Sequence, residues 1–311
     1  MTGAQGGWGW GWGWATSFAA AVALAGCARA SNVPAQSPVG ETLRGTFTSA
    51  EGTRGLAVYR PARVSTNGAA RPLVVMLHGC TQTADDMARG TRMNAAADVA
   101  GFVVLYPEQP AQAHPLKCWH WYLPEHSTRG RGEAAVLAAM IDSLVRAEGI
   151  APGRVSLVGM SAGAAMAANL GVAYPERYAA LALHSGIPAL GATDVMGAMS
   201  VMRQGAGDGD SLGVVALTAM GERARAIPVV VLHGDADKVV SPNNLRATVR
   251  EWTYVNAHAP GAKATTPVEE HLFSGVGHAW SGGSAEGTYT APSGPDATGI
   301  IVAFLRRAGS I

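Results

Sequence analysis

The chain has 311 residues, of which 48% are hydrophobic and 14% are charged, and its formal net charge is +1. This composition supplies enough apolar surface for a substantial core and is unlike that of a disordered protein. Because the sequence contains no run rich in Lys or Arg, nucleic acid is not an expected partner.

The first 27 residues are typical of a targeting segment. A Gly-Trp repeat precedes an apolar stretch that is too short for a convincing membrane span. The stretch ends in Leu24-Ala25-Gly26-Cys27, which resembles the lipobox of bacterial lipoprotein signal peptides, in which the cysteine is lipidated. No Lys or Arg precedes Arg29, so an ordinary signal peptide stays an alternative. We expect an exported protein that is periplasmic, secreted, or anchored to a membrane through lipid on Cys27.

The segment after Cys27 is polar and contains Pro and Ser, so residues 28–40 are interpreted as a flexible tether and residues 41–311 as the folded domain. Lipidation of Cys27 would leave Cys80 and Cys118 as an even pair, which an oxidising compartment would allow to form a disulfide. From the count alone, two free buried cysteines are an equally good interpretation.

Residues 42–61 are typical of an antiparallel hairpin that leads into a sheet. Helical patterns, such as those of residues 83–100 and 132–149, separate several of the apolar runs that follow. Continuous Val- and Leu-rich runs alternating with helices predict an α/β, mostly parallel, doubly wound sheet covered on both faces. The predicted strands after the hairpin lie in residues 71–79, 101–108, 154–159, 178–186, 227–237 and 269–280.

The stretch Gly159-Met160-Ser161-Ala162-Gly163 joins a predicted buried strand to an alanine-rich predicted helix. A serine at such a junction can be a simple helix N-cap. The strand, the tight turn and the helix together are also the setting of a nucleophile elbow, in which glycines remove Cβ atoms from a strained turn. We therefore predict that Ser161 is a nucleophile activated by a neighbouring base.

The partners of Ser161 are expected at the carboxyl ends of other strands, where functional groups of such sheets gather. Asp235 and Asp237 follow one predicted strand, and His278 follows the next. Serine, aspartate and histidine in this chain order are typical of an α/β-hydrolase triad. His278 is the candidate base, and either aspartate could orient its imidazole, although Asp235 is also interpreted as a turn residue. His78, His184 and His233 also follow strands and are interpreted as structural hydrogen-bonding residues.

Six stretches, extending across most of residues 70 to 305, carry a resemblance to a known family. The chain resembles the esterases that include extracellular poly(3-hydroxybutyrate) depolymerase catalytic domains, feruloyl esterases and acetylxylan esterases. The resemblance implies an α/β-hydrolase fold, with Asp237 as the predicted acid in preference to Asp235 and His278 as the predicted base, because both match the family's motifs. It is specific for the family but not for the substrate. The stretches are LHGCTQTADDM, FVVLYPEQ, CWHWY, GMSAGAAMAANLGVAYPERYAALALHSGIP, HGDADKVV and GVGHAWSGG.

An oxyanion hole requires two backbone N–H groups directed at the substrate's carbonyl oxygen. One is expected from Ala162, directly after the nucleophile. The resemblance assigns the other to Cys80 and supports a disulfide from Cys80 to Cys118, which would hold this loop in place.

Aromatic side chains beside the motifs are candidates for substrate contacts. Trp119 and Trp280, together with Trp121, are predicted to line an acyl or polymer groove, with core packing as the alternative. Three methionines at helical spacing in residues 196–202 are interpreted as core. No cluster has metal-ligand spacing and no loop resembles a phosphate or dinucleotide site, so neither a metal nor a cofactor is expected.

Together these features predict a serine esterase acting through an acyl-enzyme on a small or polymeric ester, such as hydroxyalkanoate, feruloyl or acetyl esters. A serine peptidase of the same fold is the alternative, and a non-catalytic binding protein is a weaker one. The sequence ends soon after a predicted final helix, with no length for a separate surface-binding module. We therefore expect soluble or short esters to be better substrates than solid polyester.

Overall fold

The computed structural model describes residues 39–62, 71–261 and 266–311. The predicted signal segment with Cys27 and nearly all of the tether lie outside these ranges, so both stay predictions. Within the described ranges, no helix is long and apolar enough to span a bilayer.

Among the described residues, eight strands form one central sheet and two short strands pair separately. The strands are β1 (Glu41–Ser49), β2 (Gly52–Arg60), β3 (Leu73–Leu77), β4 (Val103–Glu108), β5 (Val155–Met160), β6 (Ala180–His184), β7 (Val229–Gly234), β8 (Val268–Phe273), β9 (Trp280–Ser281) and β10 (Thr290–Ala291).

The central sheet has the strand order β1-β2-β4-β3-β5-β6-β7-β8. The β1–β2 and β2–β4 pairs are antiparallel, and every other neighbouring pair is parallel. All residues of β3, β5, β6 and β7 are buried, because helices cover both faces of these strands. The mostly parallel, doubly wound sheet with an N-terminal antiparallel hairpin is therefore confirmed.

Nine α-helices lie within the described ranges, and they bury one apolar core on each face of the sheet. Helices α4, α5 and α8 pack on one face, and α1, α2 and α9 pack on the other. The helices are α1 (Ala84–Thr91), α2 (Met93–Ala100), α3 (Pro124–Ser127), α4 (Gly132–Glu148), α5 (Ala162–Ala173), α6 (Val195–Gln204), α7 (Gly209–Met220), α8 (Asn243–His258) and α9 (Ala297–Arg307).

The parallel arrangement places the ends of β3, β5, β7 and β8 at one edge of the sheet, because parallel strands share their direction. Cys80 follows β3, Ser161 follows β5, Asp237 follows β7 and His278 follows β8. The fold thus gathers residues that are far apart in the sequence.

Candidate active site

Ser161 lies in the sharp turn between β5 and α5. Its φ of 55° and ψ of −123° lie outside the helical and extended regions. A positive φ is uncommon for a residue with a side chain and is retained where the surrounding structure enforces it. Ser161 N–H donates to the carbonyl oxygen of His184 on the neighbouring strand at 2.9 Å, which fixes the turn against the sheet.

The two glycines around Ser161 are required by close backbone contacts. A Cβ on Gly159 would lie 2.3 Å from the carbonyl oxygen of Gly163. A Cβ on Gly163 would lie 2.0 Å from the carbonyl oxygen of Leu77 at the end of β3. Any side chain at either position would force backbone atoms apart, so the glycine pattern follows from the tight approach of strand and helix.

Ser161, His278 and Asp237 form a continuous hydrogen-bonded chain. His278 Nδ1 lies 2.7 Å from Asp237 Oδ2, and His278 Nε2 lies 2.9 Å from Ser161 Oγ. A carboxylate can only accept, so Nδ1 donates to Asp237, and Nε2 is left to accept the Ser161 hydroxyl proton. This is the tautomer that a general base needs.

Asp237 is held by four donors in all. Oδ1 accepts the N–H groups of Val239 and Val240 at 2.8 and 2.9 Å, and His233 Nε2 lies 3.2 Å from Oδ2. Burial alone would raise the pKa of Asp237, but hydrogen bonds from His233 and His278 hold this pKa well below its usual range. The carboxylate therefore stays ionised and orients His278.

Asp235, the competing acid, is exposed and accepts the Gly275 N–H at 2.7 Å. This bond ties the turn after β7 to the loop that carries His278. The structure thus brings Asp237 to the imidazole and leaves Asp235 outside the chain of hydrogen bonds.

The loop after β3 lies directly beside the nucleophile. A Cβ on Gly79 would be 3.4 Å from Ser161 Cβ. The predicted disulfide between Cys80 and Cys118 is present and ties this loop to the segment before α3. The N–H groups of Cys80 and Ala162 have no hydrogen-bond acceptor among the described residues, so both are available to a bound oxygen.

The other histidines at strand ends are buried, and each has hydrogen-bond partners inside the protein. His78 Nε2 accepts the Gln109 N–H at 3.0 Å, and His233 Nε2 contacts Asp237 and the Val240 carbonyl oxygen. His184 lies between Ser185 Oγ and the Ser281 N–H. These contacts agree with the structural interpretation of all three side chains.

His184 makes the fold sensitive to acid. Burial lowers the pKa of His184 to about 3 in the folded protein, against about 6.5 in an unfolded chain. The unfolded state therefore binds a proton first as the pH falls. The contribution of His184 to the free energy of unfolding is fully present above about pH 6.5 and decreases toward pH 3.

We expect urea unfolding to show that the free energy of unfolding falls by roughly 2 kcal/mol between pH 7 and pH 5 because of His184. His184→Gln should remove that part of the pH dependence and the exposed control His258→Gln should not. An unchanged pH dependence in His184→Gln would contradict this role.

A cavity of about 460 Å³ opens at Ser161 and His278. Its other walls come from the loop after β3, residues 114–122, α6, Val239 and Tyr289. Tyr289 packs edge-on to His278, and its hydroxyl lies 3.1 Å from Thr81 Oγ1. Sequence reasoning missed both residues: Val239 lies in the stretch HGDADKVV, whose interpretation concerned the acid, and Tyr289 belongs to no motif.

The prediction that Trp119 and Trp280 line this groove is wrong. Trp119 is fully buried, and its indole N–H donates to the His78 carbonyl oxygen at 3.1 Å. Trp280 is 1% exposed and stacks on His184 with ring centroids 5.0 Å apart. Both are core residues that support the strand ends, whereas Trp121 lines the cavity.

The interpretation of the methionines in residues 196–202 as core is wrong for Met196 and Met199. Met196 is 74% exposed and Met199 is 40% exposed. Met199 lines the cavity, and Met202 both lines the cavity and packs against the core. The segment is helical, as its spacing indicates, but the helix directs Met199 toward the site and Met196 toward the solvent.

His120, His126 and Glu133 place three potential metal-ligand atoms within 4.8 Å of one another. Glu133 already accepts the His120 N–H at 2.7 Å and contacts His120 Nδ1 at 2.8 Å, and it also accepts from the Gln109 amide. His126 Nδ1 accepts the Glu133 N–H at 3.3 Å. Because these atoms are engaged with one another, we interpret the group as a network that fixes residues 118–126 on α4.

The strand order and the turn at Ser161 define an α/β-hydrolase fold. Residues 55–271 match the model of the family described as Esterase PHB depolymerase. This match covers more than half of the chain, and the chain belongs to that family, whose related proteins are carboxylic ester hydrolases.

Two curated relatives and one solved structure illustrate the similarity. Poly(3-hydroxyalkanoate) depolymerase C of Paucimonas lemoignei is 31% identical over 67% of this chain and 54% of its own length. Feruloyl esterase B of Thermothelomyces thermophilus is 27% identical over 64% of this chain and 69% of its own length. The structure of an acetyl xylan esterase from Aspergillus awamori has a TM-score of 0.62 at 23% identity, covering 72% of this chain and 89% of that one. The chain thus spans about half the length of the depolymerase that it matches, and the likeness to the solved structure shows the fold alone.

Proposed function

We propose that this protein is a serine esterase that hydrolyses carboxylic esters through a covalent acyl-enzyme, without a cofactor. The observation that carries the proposal is the hydrogen-bonded chain from Asp237 through His278 to Ser161 at the floor of the cavity. Membership of an esterase family supports the same reaction class.

In the first half of the proposed reaction, Ser161 Oγ attacks the ester carbonyl carbon while His278 Nε2 takes the hydroxyl proton. The carbonyl π electrons move to the oxygen, which accepts hydrogen bonds from the N–H groups of Cys80 and Ala162. Asp237 stabilises the imidazolium that forms. When the carbonyl re-forms, the bond to the alcohol oxygen breaks and His278 returns the proton to that oxygen.

In the second half, water replaces the alcohol. His278 takes a proton from water as its oxygen attacks the acyl carbon, and the same two N–H groups bind the new oxyanion. Collapse breaks the bond to Ser161 Oγ, which recovers its proton from His278. The products are a carboxylic acid and the free enzyme.

Hydroxyalkanoate, feruloyl and acetyl esters are the candidate substrates, because curated relatives are named as a poly(3-hydroxyalkanoate) depolymerase, a feruloyl esterase and an acetylxylan esterase. We further propose export through the segment 1–27, with Cys27 as a lipidation site. The disulfide supports this, since such bonds persist mainly in oxidising compartments.

Ester and amide substrates distinguish the esterase from the peptidase alternative. We expect p-nitrophenyl butanoate to be hydrolysed with a kcat/KM of about 10⁴ M⁻¹s⁻¹ or more, and the p-nitroanilide of butanoic acid at least about 100 times more slowly, since amides have the poorer leaving group. Comparable turnover of both compounds would favour a peptidase. Absence of turnover of either, in folded protein, would contradict the proposed function.

A further inference from the structure

Helix α6 contributes unusually little to the core. Of its ten residues, Ala198 alone is buried. The helix is held mainly at its C-terminal end, where Asn244 Nδ2 donates to the Val201 carbonyl oxygen at 2.9 Å and the Ser241 N–H donates to that of Met202 at 2.7 Å. Val201 and Met202 pack against the core in part, but the exposed side chains of Val195, Met196 and Met199 are not explained by packing inside the protein.

Exposed apolar side chains concentrate at the mouth of the cavity. Eleven large hydrophobic side chains of the described residues are exposed, and five of them line this cavity. Soluble proteins seldom expose contiguous apolar surface of this kind without a ligand. The five are Leu116, Val195, Met199, Val239 and Tyr289.

Two polar side chains in the loop after β3 that line the cavity, Thr81 and Gln82, are occupied by internal contacts. Gln82 bonds Gly79, Asp86 and Thr288, and the Thr81 hydroxyl donates to the Cys80 carbonyl oxygen. No Asp, Glu, Lys or Arg is among the described residues that line the cavity. The walls thus offer an alkyl chain apolar contact and offer a sugar or an ionised group few partners.

We propose that the cavity-lining side of α6, with Leu116 and Val239, forms an aliphatic-chain site that selects esters carrying a long unbranched alkyl chain, on the acyl or the alcohol side, over esters in which that chain has two carbons. The inference rests on the proposed esterase function, because the chain must be attached to an ester bond that reaches Ser161. Met199 and Met202 suit this task, since the unbranched thioether side chain adapts to ligands of different shape.

The size of the cavity sets the expected preference. Its volume of about 460 Å³ lies within the range of roughly 300–1,000 Å³ that is typical of small-molecule sites. An acetyl group would leave most of this space to water, whereas a longer chain displaces water from apolar walls. Burial of each further methylene should raise kcat/KM by about fourfold until the cavity is filled.

Two ester series test which side of the ester bond carries the chain. The acyl series is p-nitrophenyl acetate, butanoate, hexanoate and octanoate, and the alkyl series is ethyl, butyl, hexyl and octyl acetate followed by acid release. We expect kcat/KM to rise with chain length in one series at about fourfold per methylene. A flat or falling profile in both series, with acetate still hydrolysed, would overturn the aliphatic-chain site and leave the esterase proposal intact. No hydrolysis in either series would contradict the esterase proposal itself.

A pair of matched variants locates the site on α6. Met199→Gln introduces a polar amide into the cavity wall, and Met196→Gln makes the same change on an exposed side chain that does not line it. We expect Met199→Gln to lower kcat/KM for the best long-chain ester about tenfold. The kcat/KM for the two-carbon ester of the same series should change less than twofold. Met196→Gln should leave both values unchanged. The assignment would be overturned if Met199→Gln lowered kcat/KM equally for the two-carbon and the long-chain ester. It would also be overturned if Met199→Gln and Met196→Gln changed kcat/KM by the same factor.

Discussion

Ser161→Ala is expected to lower kcat/KM for p-nitrophenyl butanoate by roughly 10⁴-fold or more, because no other group in the turn can form the acyl-enzyme. The remaining rate would come from binding and from the N–H groups of Cys80 and Ala162. Since the variant loses one side-chain hydrogen bond, its Tm should stay within about 3 °C of wild type. Initial rates and a thermal unfolding curve measured on the same preparation check both parts.

His278→Ala is the companion variant, since it removes the base instead of the nucleophile. It should lose activity to a similar extent, and the double variant should be little worse than either single one, because the two residues act as a unit. Activity near that of wild type in either folded single variant would refute the assignment of the pair.

Asp237→Asn is expected to cost about 10⁴-fold in kcat while preserving the shape of the site, because an amide no longer fixes the Nδ1–H tautomer of His278. Asp235→Asn is the matched control two residues earlier. Its side-chain oxygen can still accept the Gly275 N–H, so its kcat should stay within about threefold of wild type. Steady-state kinetics of the two variants under identical conditions make the comparison.

The two aspartate variants separate a catalytic role from a structural one. If Asp235→Asn lost as much activity as Asp237→Asn at equal Tm, the carboxylate that orients His278 would have been misassigned. If both variants retained activity, neither carboxylate would be needed for catalysis, and the hydrogen-bonded chain from Asp237 to Ser161 would not be the catalytic triad.

The fold and the residues around Ser161 could be predicted because their signals are local. The runs that became β3, β5, β6 and β7 are apolar at nearly every position, which is characteristic of parallel strands buried on both faces. A Cβ at Gly159 or Gly163 would lie 2.3 Å or less from a backbone oxygen, so the glycine pattern in the sequence reflects a steric requirement. Chain order and strand ends then indicated His278 and the two aspartates after β7, and the family resemblance favoured Asp237.

Apart from Trp121, the outer cavity walls could not be predicted, because they depend on which face of an element meets the site. The spacing of Met196 and Met199 is compatible with a core-facing or a solvent-facing stripe, and periodicity does not distinguish the two. Trp119 and Trp280 adjoin site motifs in the sequence, but their side chains are buried in the core instead of lining the cavity. Tyr289 reaches His278 through the loop between β9 and β10, for which the sequence has no motif.

A covalent adduct on Ser161 is the most direct test of the proposed mechanism. The protein is mixed with a p-nitrophenyl alkylphosphonate, an ester analogue that serine hydrolases attack but cannot release, and its intact mass and proteolytic peptides are measured. The mechanism predicts one phosphonyl group per chain, located on the peptide containing Ser161, with loss of esterase activity in proportion to labelling and no labelling of Ser161→Ala. Complete inactivation with the adduct on another residue, or unlabelled wild-type protein that still hydrolyses esters, would contradict it.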